Sequence, residues 1–209
     1  MAALRPDKVK YIVVHTAAAT MRNVDAKEID RWHKANGWQG IGYHYVILND
    51  RHDHKAEGTL EKGRPIGEQG AHVAGINDVS VGICCVGDGD RDDFTPKQMA
   101  RLLDLITELR RRFDVAVEDV IGHREVNDLI RKGIVNEKYK TGKTCPGRKV
   151  SMDEIRAALR ERDQRDDPLP VREPDLTIID PGTPDLVWLP NVVILGDERF
   201  VSDGEEAIV

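Results

Sequence analysis

An apolar, β-branched run near the amino terminus is the feature that most constrains the fold of this chain. Residues 9–16 are almost entirely valine, isoleucine and tyrosine up to His15 and Thr16, and this composition predicts a buried strand. The sheet would fix the backbone of His15 at the strand end and direct its ring into any cleft beyond. A lone histidine at a strand end is more often structural, so a functional role for His15 depends on the residues that follow.

Strand-like segments alternate with amphipathic helical patterns over the first 160 residues. Capping residues and apolar periodicity predict helices at 25–36, 95–113 and 151–162. Further strands are predicted at 41–48, 54–57, 79–86 and 115–121, with irregular chain over 58–78 and from Gly122 to Gly147. This alternation predicts an α/β domain with helices packed on the faces of one sheet.

The strand predicted at 41–48 carries two residues that could face a cleft. Side chains of a strand alternate between its faces, so Tyr43, Tyr45 and Ile47 should share one side and His44 the other. Only one of Tyr43 and His44 would then face a given site squarely.

The carboxy-terminal region differs in composition from the rest of the chain. Residues 1–150 carry 25 Lys and Arg against 22 Asp and Glu, whereas residues 151–209 carry 6 against 15. Six of the ten prolines fall after residue 163. We therefore expect a domain over 1–163 and an acidic, proline-rich tail over 164–209. Its apolar runs, such as 192–195, are expected to dock on the protein's own sheet edge, a second copy or a partner.

Several classes of protein are disfavoured by the sequence. The first 21 residues contain no apolar run typical of a signal peptide, and no segment approaches the roughly 20 apolar residues of a membrane span. Synthesis in the cytoplasm and no membrane span are therefore expected. Neither half has a dense basic stripe with interleaved aromatics, so nucleic acid is not an expected partner.

The three cysteines do not form a disulfide framework. Cys84 and Cys85 lie in a strand-like apolar run and are interpreted as small core residues. Cys145 lies in a polar loop beside Lys143, where a thiolate is stabilised and reachable. Among the other histidines, His33 is interpreted as lying on the helix surface or packing against the edge of the core, and His52 and His54 are expected on a solvated hairpin tip.

His15, His123 and Cys145 together match a catalytic zinc pattern. Two histidines and one cysteine at strand-end or loop positions supply three protein ligands and leave a fourth position open. Zinc in such a site supports hydrolysis of amides or esters at neutral pH. Lys143 and Tyr43 would add donors for the developing oxyanion.

Seven motifs, in this order, resemble the type 2 zinc amidases, the group that includes bacteriophage amidase-type lysozymes and peptidoglycan recognition proteins. The resemblance covers roughly residues 8–160. The motifs are His15-Thr16, Gly42-Tyr43-His44-Tyr45, residues 70–75, residues 80–83, residues 94–98, Gly122-His123 and Lys143-Thr144-Cys145-Pro146.

The resemblance implies a central mixed β-sheet flanked by helices and an N-acetylmuramoyl-L-alanine amidase. It implies Zn²⁺ bound by His15, His123 and Cys145, with Tyr43 and Lys143 as catalytic residues. The residues implied to bind the peptidoglycan or muropeptide substrate are Thr16, His44, His72 and Asn77. The alternatives are a non-catalytic muropeptide-binding module, or an interaction protein on the same fold.

Two parts of the chain depart from the resemblance. Residues 127–140 look longer than in compact phage enzymes and are expected to reshape one wall of the groove, and the acidic tail has no counterpart. An enzyme of this class without a signal peptide is expected to act on the cell wall after release, as phage endolysins do. A virion component or an injected effector would fit the sequence equally well.

Overall fold

A computed structural model of the chain, which describes residues 2–165, is built around one sheet. Its strands are β1 (Tyr11–Thr16), β2 (Tyr45–Ile47), β3 (Leu60–Lys62), β4 (Ser80–Cys85) and β5 (Val120–Gly122). They lie in the order β3-β2-β4-β1-β5. Strand β1 runs parallel to β4 and β5, β2 runs parallel to β4, and only the β2–β3 pair is antiparallel. The predicted mixed central sheet is confirmed.

Within residues 2–165, four α-helices flank the sheet: α1 (Ala26–Ala35), α2 (Pro96–Phe113), α3 (Val126–Arg131) and α4 (Met152–Gln164). The predicted caps are present where helices begin. Thr95 and Gln98 form a complete capping box on α2, whereas Asp25 caps α1 alone because the Glu28 carboxylate accepts from Arg31 and Trp32 instead. Short 3₁₀ turns lie at Pro6–Lys8, Val117–Asp119, His123–Glu125 and Glu137–Tyr139.

The alternation of β1 decides on which side of the sheet its histidine lies. Ile12 and Val14 pack into the core formed with α2 and α4, whereas Tyr11 and Val13 pack on the opposite face with residues of the 73–79 loop and α3. Successive side chains of a strand point to opposite faces, so His15 follows Tyr11 and Val13. Its ring therefore lies on the face away from α2 and α4.

The return strand predicted at 54–57 is wrong, because the strand that pairs with β2 is β3 at Leu60–Lys62. Residues 52–55 are instead held toward the start of α1. Asn23 donates to the Asp53 carboxylate at 2.8 Å, and the Lys55 ammonium donates to Asp25 at 2.6 Å. Because these contacts hold residues 52–55 away from β2, the loop between β2 and β3 is longer than predicted. The contacts join segments that are distant in sequence, so local sequence does not reveal them.

The predicted faces of the 41–48 segment are wrong at their start. Tyr43 packs with the cluster that contains Val46 and Leu48, whereas Tyr45 packs with the cluster that contains Ile47. The reason is that regular strand geometry begins only at Tyr45, so the strict alternation does not extend back to Tyr43.

The irregular chain expected from Gly122 to Gly147 contains a short helix, α3, which was not predicted.

The predicted tail lies almost wholly outside the described residues. Helix α4 ends at Gln164, one residue beyond the predicted domain boundary, and the division into 1–163 and 164–209 stays a prediction, as does docking of the tail. Within residues 2–165, no helix combines the length and apolar character needed to cross a membrane.

Candidate active site

The pairing of β1 with β5 brings His15 and His123 together. Val14 of β1 lies opposite Gly122 of β5 in a parallel pair, so the next residue of each strand lies at the same carboxyl edge of the sheet. The Nδ1 atoms of His15 and His123 are 3.3 Å apart. Two nitrogen lone pairs this close repel each other unless a proton or a cation lies between them.

Cys145 completes the cluster from a loop more than twenty residues further along the chain. Its Sγ lies 3.6 Å from Nδ1 of His15, and the ligand atoms of His15, His123 and Cys145 all lie within 4.8 Å of one another. Two imidazoles and a thiol are the donors that zinc takes in a three-ligand catalytic site. The donor set and its spacing therefore fit a single zinc ion.

Arg124 holds the Cys145 loop in place. Its guanidinium donates to the carbonyl oxygens of Thr144, Gly147 and Val150 at 3.1, 2.5 and 2.7 Å. Its backbone N–H donates to the Cys145 carbonyl at 2.8 Å. Since Arg124 directly follows His123, one short segment supplies a metal-ligand candidate and also the clamp on the loop that carries Cys145.

A chain of hydrogen bonds behind His15 selects its tautomer. The Ser80 hydroxyl donates to the Ile76 carbonyl at 2.6 Å, so its oxygen can accept from Nε2–H of His72 at 3.5 Å. Nδ1 of His72 then accepts from Nε2–H of His15 at 3.1 Å. This order of donors leaves Nδ1 of His15 with a free lone pair, directed at His123 and Cys145.

The ring of His72 is fixed by close packing against backbone. A Cβ atom on Gly70 would lie 2.4 Å from His72 Cδ2, and one on Gly82 would lie 2.6 Å from His72 Cγ. The Asn77 side-chain oxygen accepts from the backbone N–H groups of His72 and Val73, each at 2.9 Å. Both glycines are therefore required where they stand, because any side chain would displace the ring.

Burial sets the protonation of the three ligand candidates. It lowers the pKa of His15 well below the ordinary value, with the neighbouring His72, His123 and Lys143 acting in the same direction. Burial and the Lys143 charge lower the pKa of His123 to about 4. Burial raises the pKa of the Cys145 thiol to about 11, against the effect of the Thr16 backbone N–H and the Lys143 ammonium. Both imidazoles are thus neutral at pH 7, and the thiol must release a proton to bind a metal.

Tyr43 and Lys143 lie beside the cluster. The ring centroid of Tyr43 is 5.0 Å from that of His15, and burial raises the pKa of its hydroxyl well above the ordinary value. The hydroxyl therefore stays protonated and available as a donor. The charge of Lys143 is close enough to lower the pKa of both His15 and His123, and its side chain is exposed at the rim.

A pocket of about 430 Å³ opens next to the cluster. Its walls come from the 71–77 loop, from His123 and Val126, and from the 138–143 segment, with Trp38 at one side. His72 and Asn77 are among its lining residues together with Lys143. Of residues 127–140, Lys138, Tyr139 and Lys140 line this pocket. That the segment reshapes a wall of the substrate groove stays a prediction.

Thr16 and His44, expected to bind substrate, are buried and engaged with backbone. The Thr16 hydroxyl donates to Gly87 O at 2.8 Å. His44 accepts from Gly82 N–H at 3.0 Å and donates to Glu68 O at 2.9 Å. Neither is among the residues that line the pocket. These contacts give both residues a structural role, and substrate contact by Thr16, His44, His72 and Asn77 stays a prediction.

Sequence reasoning missed three residues that organise the site: Arg124, Ser80 and Asn127. Asn127 donates to Thr141 O at 2.8 Å and accepts from Thr141 N–H at 3.1 Å, which fixes the start of the Lys143 segment. For Arg124, its position directly after His123 was the one sequence feature that could have indicated a role in the site. The partners of Ser80 and Asn127 depend on the tertiary fold and leave no local pattern.

Comparison with known proteins agrees with this geometry. Residues 5–148 match the N-acetylmuramoyl-L-alanine amidase family. The endolysin of Klebsiella phage KP32 is 41% identical over 126 residues, which are 57% of this chain and 77% of that protein. The endolysin of Escherichia phage T7 is 38% identical over 121 residues, 55% of this chain and 74% of that protein.

Solved structures agree as well. The N-acetylmuramoyl-L-alanine amidase LysC from Clostridium intestinale URNW superimposes with a TM-score of 0.61 at 29% identity, covering 77% of this chain and 91% of that one. The family match spans well over half of the sequence and includes His15, His123 and Cys145. The chain therefore belongs to the N-acetylmuramoyl-L-alanine amidase family and is a peptidoglycan amidase.

Proposed function

We propose that this protein is a zinc-dependent amidase that cleaves the bond between the lactyl group of N-acetylmuramic acid and L-alanine in peptidoglycan. The observation that carries this proposal is the convergence of His15, His123 and Cys145 within 4.8 Å of one another, beside a pocket that also contains Lys143. Zinc bound there would polarise the scissile carbonyl and activate a water molecule at neutral pH.

Side chains around the metal-ligand cluster would position the substrate, stabilise the developing charge and transfer protons. The pocket would place the scissile amide next to His123, and Lys143 at its rim would donate to the carbonyl oxygen as negative charge develops. Tyr43, which remains protonated, would orient the attacking water or pass a proton. His72 and Ser80 would keep His15 in the tautomer that offers Nδ1 to the metal.

A purely binding role on the same fold is the alternative, and the site disfavours it. Holding a muropeptide requires neither a thiol nor two neutral imidazoles directed at one point. Here the three donors are supported by a dedicated hydrogen-bond chain behind His15 and by the Arg124 clamp on the Cys145 loop. Such support is expected where a metal must be held in fixed geometry.

The relatives suggest the biological setting. Two phage endolysins share 41% and 38% identity with this chain. We infer that this protein is also an endolysin and acts on the bacterial cell wall after release from the cell that makes it.

Mass spectrometry of purified peptidoglycan after digestion tests the proposal. The expected products are stem peptides with a free amino-terminal L-alanine, and glycan strands that keep intact muramic acid. Cys145→Ser protein, prepared in parallel, should release none. New reducing sugar ends without free alanine would identify a glycosidase and overturn the proposal.

A further inference from the structure

The pocket beside the metal-ligand cluster is lined by positive charge. Three lysines, Lys138, Lys140 and Lys143, contribute to its lining, and within the described chain no aspartate or glutamate does. We propose that residues 137–143, here called the lysine wall, select stem peptides that carry free carboxylates over stem peptides in which those carboxylates are amidated. This inference rests on the proposed function and names the substrate class.

The lysine wall is anchored at its carboxyl end by Asn127. The amide of this residue holds the backbone of Thr141 through two hydrogen bonds, of 2.8 and 3.1 Å. A reciprocal pair of this kind fixes both position and orientation of a segment, as a strand pair does. Lys140 on one side of Thr141 and Lys143 on the other therefore have a defined backbone from which to reach the pocket.

The middle of the lysine wall is anchored by packing against the 71–77 loop, which also lines the pocket. A Cβ on Gly75 would lie 2.7 Å from the ring of Tyr139 and 2.9 Å from Val135. Val135 is buried with Val73 and Ile76 of that loop, and Tyr139 packs against the same cluster. Asn136 caps the short 3₁₀ turn through Lys138 N–H at 3.0 Å. The wall is thus a packed part of the domain.

The lysines are available to a ligand. Lys138 and Lys140 are exposed, and the Lys138 ammonium lies 4.9 Å above the ring centroid of Tyr139. Across residues 2–165, the lysines that form salt bridges are Lys34, Lys55 and Lys97. Lys138, Lys140 and Lys143 are therefore not paired with a carboxylate there. Glu137, the acid within the wall, does not line the pocket. In a chain whose net charge is −6, such a local concentration of unpaired positive charge favours an anionic ligand.

Calorimetric binding of two synthetic stem peptides to the full chain tests the inference. The peptides share one sequence, and one has free side-chain and α-carboxylates where the other has amides. The wild-type protein should bind the free-carboxylate peptide about tenfold more tightly, since each exposed lysine contributes about two- to fivefold. The advantage should shrink at high salt because the charges are solvent-exposed.

Lys138→Gln/Lys140→Gln should reduce that advantage to about twofold while leaving the affinity for the amidated peptide unchanged. Lys10→Gln is the matched control, because Lys10 is also exposed but precedes β1 at the end of that strand opposite His15. Equal binding of the two peptides by the wild-type protein would overturn the inference, as would an unchanged advantage in the double variant. Peptide binding does not require cleavage, so a failure of the amidase reaction in the digestion experiment is recognised separately.

Discussion

The Nε2 atom of His15 lies 3.1 Å from Nδ1 of His72, on the side of the ring away from His123 and Cys145. His72 therefore acts on the metal site through His15. Metal-binding histidines commonly donate their second N–H to a fixed acceptor, which sets the tautomer and orients the ring. Here the acceptor is Nδ1 of His72, and the ring of His72 is held in turn by the Ser80 hydroxyl, which accepts from its Nε2–H.

Replacing His72 should therefore weaken zinc binding without removing a ligand. We expect His72→Ala to lower zinc affinity by about 10- to 100-fold, measured by competition with a chelator at fixed pH. His72→Gln, which restores an acceptor oxygen, should recover part of the loss. His54→Gln, at an exposed histidine on the hairpin loop, is the control. Unchanged affinity in His72→Ala would show that His15 needs no partner.

Tyr43 and Lys143 are predicted to act on the reaction and not on the metal. Lys143→Ala and Tyr43→Phe should each lower turnover by roughly two to three orders of magnitude, because each removes a donor needed only as the reaction proceeds. Zinc content, measured by elemental analysis, should stay at the wild-type level. Lys149→Ala, an exposed lysine nearby in sequence, should retain wild-type turnover. Near wild-type hydrolysis in both active-site variants would remove these residues from the mechanism.

Arg124 should be required for the geometry of the Cys145 loop. Arg124→Met leaves three carbonyl oxygens without their donor, so we expect the free energy of unfolding to fall by about 3 kcal/mol. Zinc affinity should fall with it, since the loop carrying Cys145 would loosen. Arg148→Met on the same loop is the matched control, because Arg148 is exposed and its ion pair with Asp90 is 3.5 Å long. Chemical denaturation of the zinc-free proteins measures the difference, and equal loss in both variants would contradict the assigned role.

His44 should make the zinc-free protein sensitive to acid. Burial lowers its pKa from 6.5 to about 4, so the unfolded chain binds the proton first as the pH falls. The stability that the neutral ring contributes is complete above pH 6.5 and is lost progressively toward pH 4, by about 3 kcal/mol. His44→Gln should be less stable at pH 7 but should lose less stability between pH 7 and 4. Denaturant unfolding across that range tests the slope, and parallel curves for both proteins would contradict the assignment.

Local patterns predicted the parts of the fold that local chemistry determines. The run ending in His15 became β1, and the capping box of Thr95 and Gln98 opens α2 as expected. The return strand was misplaced because Asp25 and Asn23 hold residues 53–55 away from the sheet. Helix α3 was missed because it has only six residues, too few to show a helical period.

The candidate site was predictable only in part, because several of its contacts join segments that are distant in sequence. Its histidines and cysteine could be named by resemblance to a family, and the structure brings those three together. The hydrogen-bond chain through His72 and Ser80, and the Arg124 clamp, join residues that are distant in sequence or unremarkable in pattern. Such contacts follow from strand register, which no single segment of the sequence reveals.

The most direct test of the account is a zinc titration of the metal-free protein, followed by the rate of stem-peptide release from purified peptidoglycan. Because His15, His123 and Cys145 form one three-donor site, the rate should rise in proportion to added zinc and level off at about one ion per chain. Protein carrying both His15→Ala and Cys145→Ser should show neither the binding nor the rise. Full release of stem peptides by protein free of zinc would contradict the account.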